Sequence, residues 1–230
     1  MRADLTIAVA QPAVTSHDVA ANALTHADTV RAARARVVVF PELSVTGYEL
    51  ETTPLDPADP RLAPIVRACA DTGSLALVGA PVTGAYIAML AIDGDGVSVA
   101  YRKVWLGGTE PEWFIAGTEP AVVEVDGWRL GLAICRDTGV PRHAADTVAL
   151  GIDAYVAGTV KTADEAHLQD DRAHRIATGH GVWVAVASFA GSTGGGYAPA
   201  AGRSSIRTPT GTVVARAGAD PGDLARATLT

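Results

Sequence analysis

The sequence has little that points to secretion, to a metal site or to nucleic acid. It contains only two cysteines, Cys69 and Cys135, too few for a disulfide scaffold, which favours a reducing, cytoplasmic location. Basic residues are fewer than acidic ones, 18 against 25, and the net charge of −7 argues against a nucleic-acid-binding surface. No two of the six histidines have the HxxxH spacing of a helical zinc site, so we expect no metal.

Uninterrupted apolar runs are also missing. Residues 1–4 lack the apolar core of a signal peptide, so we expect none. The longest uncharged stretch, residues 73–92, is nearly long enough to span a bilayer, but Gly79 and Pro81 interrupt it. Two buried strands around a turn explain this stretch better, and we expect no membrane association.

What the sequence does contain is an alternation of short apolar runs and helical periodicity. Helices are predicted from a cap at Ser16, at 59–73, at 141–150 and at 162–179. The pattern indicates an α/β layered sandwich with mixed sheets. No linker, repeat or low-complexity block divides the chain, so we expect residues 1–230 to form a single domain. Strands are predicted at residues 5–10, 37–40, 75–80, 85–92, 97–101, 128–134, 152–157, 182–189, 204–207 and 212–215.

Three predicted strands end in a reactive side chain. Glu42, Lys103 and Cys135 each lie just beyond such a strand, at the kind of sheet edge where α/β proteins gather their sites. Each signal alone is weak, because a carboxylate or lysine at a strand end is usually solvated and a lone cysteine usually fills a core. Together they supply a thiol nucleophile, a base and a cation for an oxyanion, which are the parts that acyl transfer needs.

With these residues in place, the sequence resembles the nitrilase superfamily of carbon–nitrogen hydrolases. The three motifs match in type, order and spacing, with Lys103 61 residues after Glu42 and Cys135 32 residues after Lys103. The resemblance covers nearly the whole chain. It is carried by AVAQ at 8–11, FPELSVTGY at 40–48, YRKVWL at 101–106, LAICRD at 132–137, GRSSI at 202–206 and PTG at 209–211.

The resemblance implies an α-β-β-α sandwich with two mixed sheets that pairs into a four-layer dimer, and a catalytic set that needs no metal or organic cofactor. In that set Glu42 is the general base, Lys103 stabilises the oxyanion and Cys135 is the nucleophile. Many members carry a second glutamate seven residues before a glycine. Glu110 fits that position, and Glu112 is the nearby competitor.

Three further residues are candidate substrate or oxyanion contacts. The resemblance implies that the backbone N–H of Arg136 is the second oxyanion donor. The Arg136 side chain has two possible placements: toward the acyl pocket, where it would pair with a substrate carboxylate, or outward, held by Asp137 or another surface acid. Trp113 and Thr159 complete the candidate set, although a tryptophan is as often core packing as pocket wall.

The expected activity is hydrolysis of a small-molecule amide or carbamoyl compound through a cysteine thioester, with a nitrile as the alternative substrate. The sequence leaves aliphatic amides, ω-amides and N-carbamoyl compounds open as the substrate class. A catalytically silent binding or regulatory subunit is the alternative function, motivated by departures from the family pattern. These departures are Trp105, Arg136, Arg142, Gly179, His180 and Ser188.

Overall fold

Two six-stranded sheets form the centre of the computed structural model, which describes residues 2–230. In each sheet the three consecutive strands β1–β2–β3 or β7–β8–β9 are parallel and the remaining pairs are antiparallel. The first sheet has the order β14 (Leu224–Leu229), β1 (Leu5–Ala10), β2 (Val37–Val39), β3 (Leu75–Val82), β4 (Tyr86–Ile92), β5 (Val97–Arg102). The second has the order β13 (Val213–Arg216), β12 (Ser205–Arg207), β9 (Trp183–Ser188), β8 (Ala154–Thr159), β7 (Trp128–Ile134), β6 (Val122–Val125).

Four helices cover the outer faces of the sheets. They are α1 (Val19–Ala33), α2 (Ala63–Thr72), α3 (Pro141–Val148) and α4 (Ala166–His180). A further pair of two-residue strands, β10 (Ala190–Gly191) and β11 (Ala200–Ala201), lies outside both sheets. None of the helices among residues 2–230 is long and apolar enough to cross a bilayer.

The alternation of side chains along the strands produces the layers. In β1, Ile7 and Val9 belong to the core between the two sheets, whereas Ala8 and Ala10 belong to the core under α1 and α2. A separate apolar cluster joins the second sheet to α3 and α4. The order of layers is therefore helix, sheet, sheet, helix, which confirms the predicted α-β-β-α sandwich with two mixed sheets.

Several element boundaries differ from the prediction by two or more residues, and the start of the first helix and the end of the fourth have a clear physical cause. The first helix is capped by Asp18, whose Oδ1 accepts from the N–H of Ala21 at 3.0 Å, and the Ser16 hydroxyl instead donates to Glu49. Asp18 directly precedes the helix, so its carboxylate reaches the free amides that Ser16 is too far away to meet. The fourth helix continues past Gly179 and ends at Gly181, which adopts a left-handed φ of 66°.

The last strand, like β6 and the short strands β10 and β11, was missed from sequence. The predicted strands stopped at residue 215, but β14 pairs antiparallel with β1 along its whole length, from Leu5 opposite Leu229 to Ala10 opposite Leu224. Its interior apolar residues, Ala225 and Ala227, are small and are separated by Arg226, so the run has a weak hydrophobic signal. The chain therefore returns to the first sheet and covers the exposed edge of β1.

Candidate active site

The candidate nucleophile lies at a sharp turn that leaves the second sheet. Cys135 follows β7 and begins a short 3-10 turn, Cys135–Gly139, with a φ of 40°. A non-glycine residue in this left-handed region is strained, and such strain persists where the surroundings hold it. The Cys135 Sγ is 3.4 Å from the carbonyl oxygen of Val160, the residue after β8, to which the thiol donates. The turn thus places the thiol at the carboxyl ends of the parallel strands.

Glu42 reaches the same edge from the first sheet because two glycines let its backbone approach closely. A Cβ at Gly79 on β3 would lie 2.3 Å from the carbonyl oxygen of Pro41. A Cβ at Gly158 on β8 would lie 2.6 Å from the carbonyl oxygen of Phe40. One glycine from each sheet therefore leaves room for the segment that carries Glu42 between them.

Lys103 connects the carboxylates of the site. Its side chain is fully buried, and its Nζ lies 2.5 Å from Oε1 of Glu42. The same Nζ lies 2.8 and 2.7 Å from Oε1 and Oε2 of Glu110. Two carboxylates and one cation in this buried site form short, charge-assisted hydrogen bonds.

Glu110 is the second glutamate of this cluster, and Glu112 is not. The Glu110 side chain is buried, whereas Glu112 is exposed. Besides Lys103, Glu110 accepts from the hydroxyl of Tyr48 at 3.0 Å and from the N–H of Gly107 at 2.7 Å. All the common acceptor positions of its two oxygens are therefore occupied.

Glu42 differs from Glu110 because one of its carboxylate oxygens accepts no hydrogen bond. Within residues 2–230 its Oε2 is buried and has no hydrogen-bond partner. A buried carboxylate oxygen without a donor destabilises the ionised form of the acid. It is also the position at which a proton can be received.

The electrostatics of the site favour a neutral thiol beside a titrating carboxyl. Burial raises the pKa of Glu42 to about 7, with Lys103 opposing the shift and Glu110 adding to it. Burial and the nearby Glu42 raise the pKa of the Cys135 thiol to about 12. Burial would lower the pKa of Lys103, but the neighbouring negative groups outweigh it and raise that pKa above its ordinary value. At neutral pH the lysine is therefore charged, the thiol is protonated and Glu42 can accept a proton.

Asp137 joins the nucleophile turn to the segment of Lys103, a role that sequence reasoning missed. Its Oδ2 accepts from the N–H of Ile134 and from the hydroxyl of Tyr101, each at 2.8 Å. Its Oδ1 accepts from the N–H of Trp105 at 2.9 Å. Because the bonded residues flank Cys135 and Lys103, this buried carboxylate fixes the two segments relative to each other.

The Arg136 side chain is exposed, but the expectation that Asp137 or another surface acid holds it is wrong. The oxygens of Asp137 are occupied by the three donors just described, and no acidic side chain among residues 2–230 forms an ion pair with Arg136. The Arg136 side chain instead lines the cleft in front of Cys135, together with Lys103 and Glu110.

The other two candidate contacts lie outside this cleft. Trp113 is 44% exposed and does not line it. Thr159 is buried at the end of β8, where its hydroxyl donates to Gln169 and to the carbonyl of Ala187. It contacts only a cavity of about 10 Å³ behind Cys135, enough for about one water molecule.

The cleft has a volume of about 210 Å³ and residues from both sheets line it. Sequence reasoning missed three of its charged or aromatic side chains: Lys161 after β8, Arg172 on α4 and Tyr197 in the loop between β10 and β11. No side chains of the described residues group as a three-ligand metal site. The complete lining is Tyr48, Leu50, Lys103, Gly107, Gly108, Thr109, Glu110, Cys135, Arg136, Lys161, Arg172, Gly195 and Tyr197.

Comparison with known proteins decides the family. The model of the carbon–nitrogen hydrolase family matches residues 6–230. The chain belongs to the carbon–nitrogen hydrolase family. A curated relative, described as a hydrolase in the pqqF 5' region of Pseudomonas protegens, is 30% identical over 210 residues, which is 85% of this chain and 72% of the relative.

Solved structures of nitrilase-superfamily proteins share the fold of this carbon–nitrogen hydrolase. An amidase from Nesterenkonia sp. AN1 superposes with a TM-score of 0.88 at 24% identity, covering 98% of this chain and 90% of the amidase. A Saccharomyces cerevisiae protein from branch 10 of the superfamily gives a TM-score of 0.86 at 22% identity, with 98% and 90% covered. The resemblance to the nitrilase superfamily is thus confirmed.

Proposed function

We propose that this hydrolase cleaves the C–N bond of a small-molecule amide or carbamoyl compound through a thioester on Cys135. The observation that carries the proposal is the buried contact of Lys103 with both Glu42 and Glu110 beside a cysteine in a strained turn. A core-filling cysteine requires none of these neighbours. The similarity to the Nesterenkonia amidase, for which an acrylamide adduct at the active-site cysteine is described, supports the same assignment.

In the first half-reaction Glu42 takes the thiol proton as Cys135 Sγ attacks the amide carbon. The unpartnered Oε2 of Glu42 and its pKa of about 7 suit a base that works near neutral pH. Lys103 and the backbone N–H of Arg136 stabilise the oxyanion. The intermediate collapses when Glu42 returns the proton to the leaving nitrogen, so the C–N bond breaks and ammonia or an amine departs.

In the second half-reaction water attacks the thioester. Glu42 takes a proton from the water and passes it to the departing thiolate as the C–S bond breaks, so the thiol is restored and the acid product leaves as a carboxylate after losing a proton to solvent. Glu110 acts through Lys103 rather than on the water, because its oxygens are already occupied by Lys103, Tyr48 and Gly107. We therefore assign Glu110 as a positioning residue.

The test is a panel of aliphatic amides, ω-amides, N-carbamoyl compounds and nitriles, scored for ammonia release. Single-turnover mass spectrometry of a slow substrate should detect an acyl group on the peptide that contains Cys135. A panel without turnover, in a protein that still binds these compounds, would support the silent binding subunit. An acyl group on another residue would overturn the assignment of the nucleophile.

Three further assignments belong to this proposal. We propose that residues 1–230 act as one carbon–nitrogen hydrolase domain and that it works in the cytoplasm. We also propose that the protein is a homodimer, as the family resemblance implies, or a higher homo-oligomer. The two free cysteines support a reducing compartment. Light scattering coupled to size-exclusion chromatography tests the dimer.

A further inference from the structure

The cleft in front of Cys135 is unusually rich in positive charge for this protein. The chain has a net charge of −7 and contains only two lysines, Lys103 and Lys161, and both line the cleft. Arg136 and Arg172 line it as well. Lys103 is neutralised by its glutamates and used in the proposed chemistry, but the other three cations have no part in that chemistry.

Arg136 extends over the cleft without an acidic partner. A Cβ at Gly107 would lie 3.6 Å from both Cβ and Cδ of Arg136, so the side chain lies along the segment that leads to Glu110. Among the described residues no carboxylate forms an ion pair with its guanidinium, and Asp137 is occupied elsewhere. Its position beside the nucleophile and its free donors make it available to a bound molecule.

Arg172 approaches the same cleft from α4 and is partly buried. A Cβ at Gly139 would lie 2.9 Å from its Cζ, so the guanidinium lies against the end of the nucleophile turn. Neither a hydrogen bond nor an ion pair to its guanidinium occurs within residues 2–230. Arg175, one turn further along α4, donates instead to the carbonyl of Thr138 and does not line the cleft. The third cation, Lys161, has one acidic neighbour, Glu165, at 3.5 Å.

Arg136 is exposed and Arg172 is partly buried, and both guanidinium groups keep donors free for an anion that enters the cleft. A carboxylate suits them, because a guanidinium presents parallel donors that a carboxylate accepts in a fork. Among the residues that the structure describes, Glu110 is the only carboxylate that lines the cleft, and Lys103, Tyr48 and Gly107 occupy it. The described residues therefore supply no carboxylate for the two arginines, and a carboxylate on the substrate fits their free donors.

We propose that Arg136 and Arg172 bind a carboxylate on the acyl part of the substrate, so that the preferred substrate is a short amide or carbamoyl compound that carries a second, anionic end. Lys161 adds attraction for the same charge. This inference rests on the proposed function, since the acyl group must reach Cys135.

A matched pair of alkylating reagents tests the charge preference without knowledge of the substrate. Iodoacetate and iodoacetamide both require the Cys135 thiolate, so its ionisation cancels in the ratio of their rates, and they differ chiefly in charge. Each ratio is divided by that of N-acetylcysteine, and modification of the Cys135 peptide is followed by mass spectrometry. We expect the normalised ratio to exceed one by about tenfold, and Arg136→Gln and Arg172→Gln each to lower it severalfold.

Arg142→Gln is the matched control. It removes the same charge from an exposed arginine close in sequence to the nucleophile turn, which pairs with Asp146 and does not line the cleft. Its ratio should equal that of the wild type, and unchanged iodoacetamide rates show that the variants are folded. A normalised ratio of one in the wild type overturns the inference and leaves the proposed function standing. A Cys135 that reacts with neither reagent overturns the proposed function itself.

Turnover gives an independent measurement. Succinamic acid should be hydrolysed with a kcat/KM at least about tenfold above that of butyramide, its neutral counterpart of equal length, and the double arginine variant should lose that advantage. Equal values for both amides in the wild type would overturn the inference.

Discussion

The two sheets share one topology but carry different side chains at equivalent strand ends. From one edge to the other, both pair their strands in the order antiparallel, parallel, parallel, antiparallel, antiparallel. In the first sheet this order is read from β14 to β5. In the second sheet it is read from β6 through β7, β8, β9 and β12 to β13. The central β1 and β7 are therefore equivalent, as are β2 and β8.

The side chains that follow the equivalent strands β1 and β7 differ most in their chemistry. Gln11 follows β1, and Cys135 follows β7. Gln11 is fully buried, and backbone groups occupy its side chain: its Nε2 donates to the carbonyls of Asp220 and Gly218, and its Oε1 accepts from the N–H of Ser204. Cys135 opens instead onto a cleft. One strand end therefore anchors the turn before β14, and its equivalent presents a nucleophile.

At the second pair both side chains are charged and of opposite sign. Glu42 lies three residues after β2, and Lys161 lies two residues after β8. The topology thus brings reactive strand ends to one edge twice, while the sequence decides which become chemical groups and which become anchors. The following predictions test that division.

The largest effect is expected at Cys135. Cys135→Ala should abolish turnover, by at least about 10⁴-fold, because the group that forms the thioester is removed. Cys69→Ala is the control: Cys69 is buried on α2, and its thiol pKa, raised by burial to about 11, is similarly unfavourable for ionisation. Only the neighbours of the two thiols differ, so kcat/KM of folded Cys69→Ala should stay within about twofold of the wild type. Turnover by Cys135→Ala would contradict the assignment.

A smaller but large loss is expected for Lys103→Met. Removing the cation at the oxyanion should lower the single-turnover acylation rate by about 10²–10³-fold. The variant also leaves Glu42 and Glu110 without their shared partner, so we expect a loss of about 3–5 kcal/mol in unfolding free energy, measured by urea titration. Lys161→Met is the matched control, and with a neutral amide it should change acylation less than tenfold. An effect of Lys103→Met on KM alone would show that the lysine only binds substrate.

Below pH 7, activity should fall about tenfold for each unit by which the pH decreases. Protonated Glu42 cannot accept the thiol proton, so kcat/KM should fall as pH decreases below about 7, the pKa to which burial raises this group. The effect on stability has the opposite sign. Because the folded-state pKa lies above the ordinary value of 4.5, unfolding free energy should fall as pH rises from about 4.5 to 7, and this fall should be absent in Glu42→Gln. A flat activity profile from pH 5 to 8 would rule out Glu42 as the base.

The strand ends that carry chemical groups could be predicted from sequence, because each is marked by neighbouring residues in the chain. Glu42, Lys103 and Cys135 each follow an apolar run, so their motifs predicted both the strand end and the family. Glu110 could also be reached, through its position seven residues before Gly117, although the sequence left Glu112 as a competitor. The roles of these residues remain predictions, whereas the sandwich and the family are confirmed.

Residues whose role depends on distant partners could not be predicted. Arg172 is one of two arginines on a polar helix, and only the fold brings it against Gly139. Asp137 has its three donors on two segments, one of which is 32 residues away in sequence. Gln11 is bound to groups about 200 residues away. Long-range pairings of this kind leave no periodic pattern in the chain.

Gln11→Ala should have the smallest effect on catalysis and thereby separate the two equivalent strand ends. Its removal leaves the N–H of Ser204 and the carbonyls of Gly218 and Asp220 without their partner, so we expect unfolding free energy to fall by about 1–3 kcal/mol. At a temperature where the variant is folded, kcat/KM should stay within about twofold of the wild type, because Gln11 does not line the cleft. Thr228→Ala, at an exposed position of β14, should change stability by less than about 0.5 kcal/mol and is the control. Cys135→Ala should show the reverse pattern, with activity lost and stability nearly kept. A folded Gln11→Ala enzyme with a strongly reduced kcat would mean that both strand ends serve the chemistry. Gln11 does not line the cleft, so it could change the rate of acylation in a folded enzyme only by positioning the site.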